Sequence, residues 1–189
     1  MKVRTRRHNQ ATQLTVSKTI THLHVYARNA CSSHGVLKMG HTYFPCLLGR
    51  SGKKHLKREG DGASPIGRWR LEQLYYRSDK CLKQRTLIKS CTLQQNDGWC
   101  DAATNGAYNR FVKLPFKASH EKLWRRDNAY DIVIGTDHNQ RPRIRGGGSA
   151  IFLHVIGAGA TYTEGCIAIS ERDLRNVLAR CSGHTYLVI

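Results

Sequence analysis

Ser149 to Arg180 reads SAIFLHVIGAGATYTEGCIAISERDLRNVLAR: a strand, a small-residue loop, a tight turn and a helix in succession. Ala150 to Val155 is a short apolar run led in by Gly146, Gly147 and Gly148, which suits a buried strand after a turn, although periodicity alone leaves a buried helix open. His154 falls at the end of that run. Two glycines between Gly157 and Ala160 let the chain bend, and Gly165 lets it turn sharply just before Cys166. The following helix has two start signals: Ser170 as cap with Asp173 as its partner, and Ile169 and Leu174 as a hydrophobic staple. Leu174, Val177, Leu178 and Cys181 recur at helical spacing, and Gly183 is the expected stop.

A cysteine fixed between a turn and a capped helix is held in one place, as a nucleophile must be. Its thiolate is the reactive form, and a free thiol with a pKa of ~8.5 is mostly protonated at neutral pH, so a base is needed. His154 is the candidate base. The N–H groups of Gly165 and Cys166 are candidates to hold the oxyanion of a tetrahedral intermediate, and a backbone carbonyl such as that of Val155 would orient the imidazole. The competing reading is a buried structural cysteine and a hydrogen-bonded histidine. With seven cysteines and ten histidines in 189 residues, such a spacing arises easily by chance.

The length suits one domain with a core of its own. Lysine and arginine outnumber acidic residues by 31 to 13, giving a net charge of +18, and the first acidic residue is Glu59. Such a field favours an anionic partner: nucleic acid, an anionic membrane surface or an anionic polymer. Nucleic acid fits least, because the basic residues are not interleaved with an aromatic platform for stacking bases. No stretch is long and apolar enough to span a bilayer. The basic start, MKVRTRRHNQATQ, lacks the apolar region and small-residue cleavage site of an export signal. Residues 1–13 are expected to form a flexible basic arm, and residues 14–189 the folded domain.

From Leu14 to Leu48 the pattern is β-like: His22, His24 and Tyr26 alternate with Leu23 and Val25, and a second run from Val36 to Leu48 turns at Gly40. Cys31, His34, His41 and Cys46 form a loose group whose spacings match no standard zinc pattern, so no metal site is expected. Gly49 to Arg70 is a glycine-rich loop ending in Trp69, and its Lys53, Lys54, Lys57 and Arg58 could grip a carboxylate-bearing substrate or form a solvated face. Tyr75 to Asn109 is polar and turn-rich. Ala118 to Asp127 reads as a short helix with Leu123 and Trp124 facing inward. His138 follows the strand Ile132 to Ile134 and is a candidate to line the cleft. With Cys166 set aside, Cys31, Cys46, Cys81, Cys91, Cys100 and Cys181 fit either up to three disulfides or six free thiols.

Taken together, KREGDGASPIGRW from Lys57 to Trp69, YDIVIGTDHN from Tyr130 to Asn139, RIRGGGSAIFLHV from Arg143 to Val155 and the Gly-Cys-aliphatic turn at Gly165 resemble the L,D-transpeptidase catalytic domain. The resemblance runs from about Leu14 to Ile189. It implies a mainly β, sandwich-like single domain with a few short helices, in which Cys166 attacks the peptide stem of peptidoglycan, His154 is its base and Gly165 belongs to the oxyanion site. It implies no cofactor and no metal, stem peptides as both donor and acceptor, and residence in the cell envelope, in the periplasm. A monomer is the default expectation.

The sequence also departs from the family pattern. Where the family commonly has Ser/Thr-His-Gly-Cys, this chain has Thr163, Glu164, Gly165 and Cys166, and Ala168 stands where Asn or Arg is frequent. Glu164 is a candidate to bind an acceptor amine, with Thr163, His138 and Tyr130 as further candidate substrate contacts. The main expectation is therefore a cysteine transpeptidase. The alternatives are an L,D-carboxypeptidase that uses water, and a basic wall-binding module without catalysis.

Overall fold

The structure, a computed structural model, describes residues 19–189, so the expected arm of residues 1–13 lies outside the described residues. In chain order the strands are β1 (His22–Ala27), β2 (His34–Met39), β3 (Thr42–Leu47), β4 (Lys53–Lys54), β5 (Ser64–Pro65), β6 (Arg68–Tyr76), β7 (Lys89–Thr92), β8 (Asp97–Cys100), β9 (Arg110–Lys113), β10 (His120–Lys122), β11 (Ile132–Thr136), β12 (Phe152–Val155) and β13 (Ile167–Ile169). The helix α1 (Glu171–Leu178) and strand β14 (Tyr186–Val188) complete the chain. The protein is mainly β, with one helix among the described residues.

Alternation sets β1. Leu23 and Val25 turn into the core, while His22, His24 and Tyr26 form a ladder of stacked rings on the other face, at 5.9 and 6.2 Å between centroids. β2 and β3 form a hairpin through Gly40 and His41, and Gly40 takes a φ of +61° that the tight turn demands. The large sheet runs β11-β12-β13-β3-β2-β1-β14-β6-β7. It closes on itself, because β6 pairs with β14 through Arg68 to Arg70 and with β11 from Leu71 to Tyr76.

The strands β11 and β12 are buried on both faces, and their alternation divides the core in two. Ile132, Ile134, Leu153 and Val155 join the main cluster, against which α1 packs Leu174, Val177 and Leu178. Val133 and Phe152 point the opposite way, into a second cluster with Trp99, Leu123, Tyr130 and Cys166. A small sheet, β10-β8-β9, covers that second face and sets Trp99 edge-on to Phe152 at 5.1 Å.

Two local expectations are corrected. Ala118 to Asp127 is not a helix: it contains β10 followed by turns, and pairing of β10 with β8 outweighs its helix-like spacing. Leu123 is nonetheless fully buried and Trp124 packs against the second cluster. The helix α1 starts as expected, with Ser170 Oγ accepting the Asp173 N–H at 3.1 Å, but it ends at an Ala179 cap. Gly183 lies beyond, in the turn leading to β14. All seven cysteines are free thiols, and no group of three or more metal-ligating side chains comes together among the described residues.

Candidate active site

The register of β12 and β13 brings His154 and Cys166 together. These strands are parallel, with Leu153 opposite Ile167 and His154 opposite Ala168, so the intervening loop must return to the start of β12 before β13 begins. Cys166, one residue before β13, therefore lies beside Phe152, whose N–H donates to Sγ at 3.3 Å. His154 is two residues further along β12 and shares the face of Phe152. Both His154 and Cys166 are 7% exposed, and both line one cavity of about 420 Å³.

The turn before Cys166 is tied by local bonds. Thr163 Oγ1 donates to the Cys166 carbonyl at 2.7 Å and accepts the Gly165 N–H at 3.1 Å. Its backbone N–H donates to Leu48 O and its carbonyl accepts the Arg50 N–H. Gly165 has a φ of +141°, and a Cβ there would lie 2.8 Å from the Ala63 carbonyl oxygen. Ser64 Oγ accepts the Gly49 N–H and donates to Cys166 O, so the glycine-rich segment backs directly on the cysteine turn.

Hydrogen bonding fixes the resting protonation. His154 Nδ1 lies 2.7 Å from the Val155 carbonyl, which can only accept, so Nδ1 carries the proton and Nε2 keeps a lone pair. Burial pulls the ring's pKa down to about 4, so it is neutral at pH 7. Burial, with the Glu121 carboxylate adding to it, pushes the Cys166 thiol up to about 12 against weaker opposing contributions from the Phe152 N–H, Lys57 and Arg125. The thiol donates to the Ala150 carbonyl at 3.0 Å. Ala150 holds that carbonyl in place with a φ of +51°, a left-handed conformation that costs ~1–2 kcal/mol for a residue with a Cβ. Asn109 Oδ1 accepts the Ala150 N–H and the Trp99 indole N–H, which helps offset the cost.

The candidate substrate residues divide among different places. Tyr130 stands edge-on to His154, with centroids 5.1 Å apart, and donates its hydroxyl to Glu121. Thr163 lines the cavity but spends its hydroxyl on the turn. Glu164 lines the outer part, largely exposed, and pairs with Arg50 at 3.1 Å. The carboxylate acting on the Cys166 thiol is that of Glu121, not that of the neighbouring Glu164. His138 does not line this cavity; it faces a separate one beside Trp69. Glu121, Arg125 and Asp127 do line it, and their sequence, which has the spacing of a helix, gives no sign of a place in the site. Asn109 was also missed as the bond hub behind Ala150, and nothing in local sequence marks it.

The profile of the YkuD family, the L,D-transpeptidase catalytic domain, matches residues 36–189, a span that holds every side chain of this site. The chain belongs to that family. Curated proteins and solved structures give no match. Membership in the L,D-transpeptidase family accounts for the mainly β single domain and indicates a catalytic protein of a family that acts on peptidoglycan. No helix among the described residues is long and apolar enough to cross a membrane.

Proposed function

We propose that the protein crosslinks peptidoglycan stem peptides in the periplasm, through a thioester on Cys166 with His154 as base. The observation that carries this reading is the bond from His154 Nδ1 to the Val155 carbonyl, which leaves Nε2 unprotonated in the cavity that Cys166 also lines. As Sγ bonds to the carbonyl carbon on the L-centre side of an L,D peptide bond, its proton passes to Nε2. The carbonyl oxygen becomes an oxyanion. Its donor in this reading is the Cys166 N–H, joined by that of Gly165, which is shared with Thr163 Oγ1. Collapse of the intermediate returns the proton to the departing D-amino acid and leaves the thioester. An acceptor amine, that of diaminopimelate by family resemblance, then loses a proton to Nε2, attacks the thioester and releases the thiol. These steps use no cofactor.

Water in place of the amine would make the protein an L,D-carboxypeptidase. Five of the thirteen acidic residues, Glu59, Asp101, Glu121, Asp127 and Glu164, line the cavity, and Arg125 is the one Lys or Arg among its lining residues. An acidic cavity in a protein of net charge +18 favours an ammonium-bearing acceptor, and so favours transfer. The test is incubation with purified tripeptide and tetrapeptide muropeptides, followed by mass spectrometry. Crosslinked dimer with released D-amino acid is the expected result. Tripeptide product alone would replace the reading with hydrolysis, and unchanged substrate with protein bound to sacculi would replace it with a wall-binding module.

A further inference from the structure

A second cavity, of about 520 Å³, adjoins the first across two chain segments. Lys57 and Arg58 line this cavity while Glu59 lines the one at Cys166, and Gly146 and Gly147 line it while Ser149 and Ala150 line the other. The Glu59 N–H donates to the Gly146 carbonyl and joins the two segments.

Its walls carry five Lys or Arg residues, Lys57, Arg58, Arg68, Arg141 and Arg145, against one carboxylate, Asp137. Asp137 Oδ1 already accepts the Arg70 N–H at 2.7 Å. Lys57 pairs with Asp61, Arg141 lies 3.8 Å from Glu72, and Arg68 sits over the Tyr186 ring. Arg58 and Arg145 form no side-chain ion pair among the described residues. The surrounding loop is held in shape: Asn139 donates to the Ile144 and Gly148 carbonyls, accepts the Ile144 N–H, and so closes the turn that presents Arg141 and Arg145.

His138 supplies the second observation. It is 7% exposed and lines the cavity, and its Nε2 donates to the Gly147 carbonyl at 3.1 Å. Burial above all, with the Lys57 charge adding, pulls its pKa down to about 4, so the ring is neutral and carries only that one proton. Nδ1 is then a buried acceptor, and it has no partner. Two free guanidinium groups call for an oxyanion, and a bare imidazole nitrogen calls for an adjacent O–H or N–H donor.

We propose that this cavity is a second binding site, separate from Cys166, for a carboxylate or phosphate carried on a hydroxyl-bearing unit such as an acidic sugar or a polyol phosphate. The guanidinium groups of Arg58 and Arg145 take the anion, and a hydroxyl of the same unit donates to His138 Nδ1. The site does not depend on the chemistry at Cys166, so its test succeeds or fails apart from the proposed transfer.

The test is calorimetric titration of the full chain at low ionic strength with N-acetylmuramic acid, glycerol 3-phosphate and uncharged N-acetylglucosamine. Saturable binding of one or both charged probes is expected, and the tighter of the two identifies the anion. An Arg58→Gln/Arg145→Gln protein should bind at least ~10-fold more weakly, because it loses two charge-assisted contacts. A Lys83→Gln/Arg85→Gln protein, with the same loss of charge at exposed positions outside the cavity, should change by less than about twofold. Saturating the site should also shift the 15N resonance of His138 Nδ1. The proposal is overturned if neither charged probe saturates, if the neutral sugar binds as tightly, or if both double variants weaken binding equally.

Discussion

Cys166 should react slowly with alkylating reagents in the resting protein, and the pH dependence of that reaction tests how the proposed nucleophile is prepared. Burial raises its pKa to about 12, so the thiolate fraction at pH 7 is on the order of 10⁻⁵, against about 3% for an ordinary exposed thiol near 8.5. The ratio is about three orders of magnitude. Cys31 and Cys91 are exposed free thiols and serve as references within the same molecule. Timed treatment with iodoacetamide between pH 6 and pH 9.5, followed by peptide mass mapping, gives all the rates together. Cys166 should react far more slowly than the exposed Cys31 and Cys91 at pH 7, with its rate climbing about tenfold per pH unit and reaching no plateau. A buried thiol pushed up to about 12 and a buried imidazole pulled down to about 4 both favour the neutral pair, so the thiol keeps its proton in the empty cavity. The proton must then move as the carbon–sulfur bond forms rather than beforehand. A plateau below pH 8, or alkylation of Cys166 as fast as that of Cys31, would mean a preformed thiolate–imidazolium pair and refute this reasoning.

Glu121→Gln should lower the Cys166 pKa and speed its alkylation, because it removes the charge that raises the thiol, whereas Glu164→Gln should leave the rate unchanged; equal effects would show that Glu121 has no particular hold on the thiol. His154 and His138 both have folded-state pKa values depressed to about 4, so the unfolded chain binds more protons between about 6.5 and 4. Their contribution to stability is complete above about 6.5 and is lost as pH falls to about 4, on the order of a few kcal/mol each; melting curves across that window should show the loss, and a His138→Gln protein that keeps the full slope would count against the assignment. Gly165→Ala should cost roughly 1–3 kcal/mol through its positive φ and the clash with Ala63 O, read as a fall in Tm of ~2–10 °C; an unchanged Tm would show that the turn relaxes freely.

Much of the fold was legible where the pattern is local. The alternation around Leu23 and Val25, the Ser170 cap and the apolar run before His154 all correspond to observed elements, because each depends on near neighbours in the chain. The Val155 carbonyl, expected to orient the imidazole, is indeed the partner of His154 Nδ1. Ala118 to Asp127 misled because Glu121 and Arg125 stand four apart around Leu123 and Trp124, which looks helical, while the segment's shape follows from pairing with β8. The carboxylate that raises the Cys166 thiol was not legible for a related reason: Glu121 is distant in sequence and reaches the thiol only through the fold, while the adjacent Glu164 pairs with Arg50. The place of His138 in the second cavity depends on the loop closed by Asn139, and a list of residue types carries no sign of that closure.

The central claim is that Cys166 carries the acyl group. Its most direct test is to mix the protein with a disaccharide tetrapeptide, quench in acid, and map the adduct by tandem mass spectrometry, with Cys166→Ala alongside. The account predicts a hydroxylamine-labile adduct with the mass of the disaccharide tripeptide acyl group on Cys166, absent from the folded variant, which also fails to turn over. An adduct on another of the cysteines, or undiminished turnover by Cys166→Ala, would contradict it.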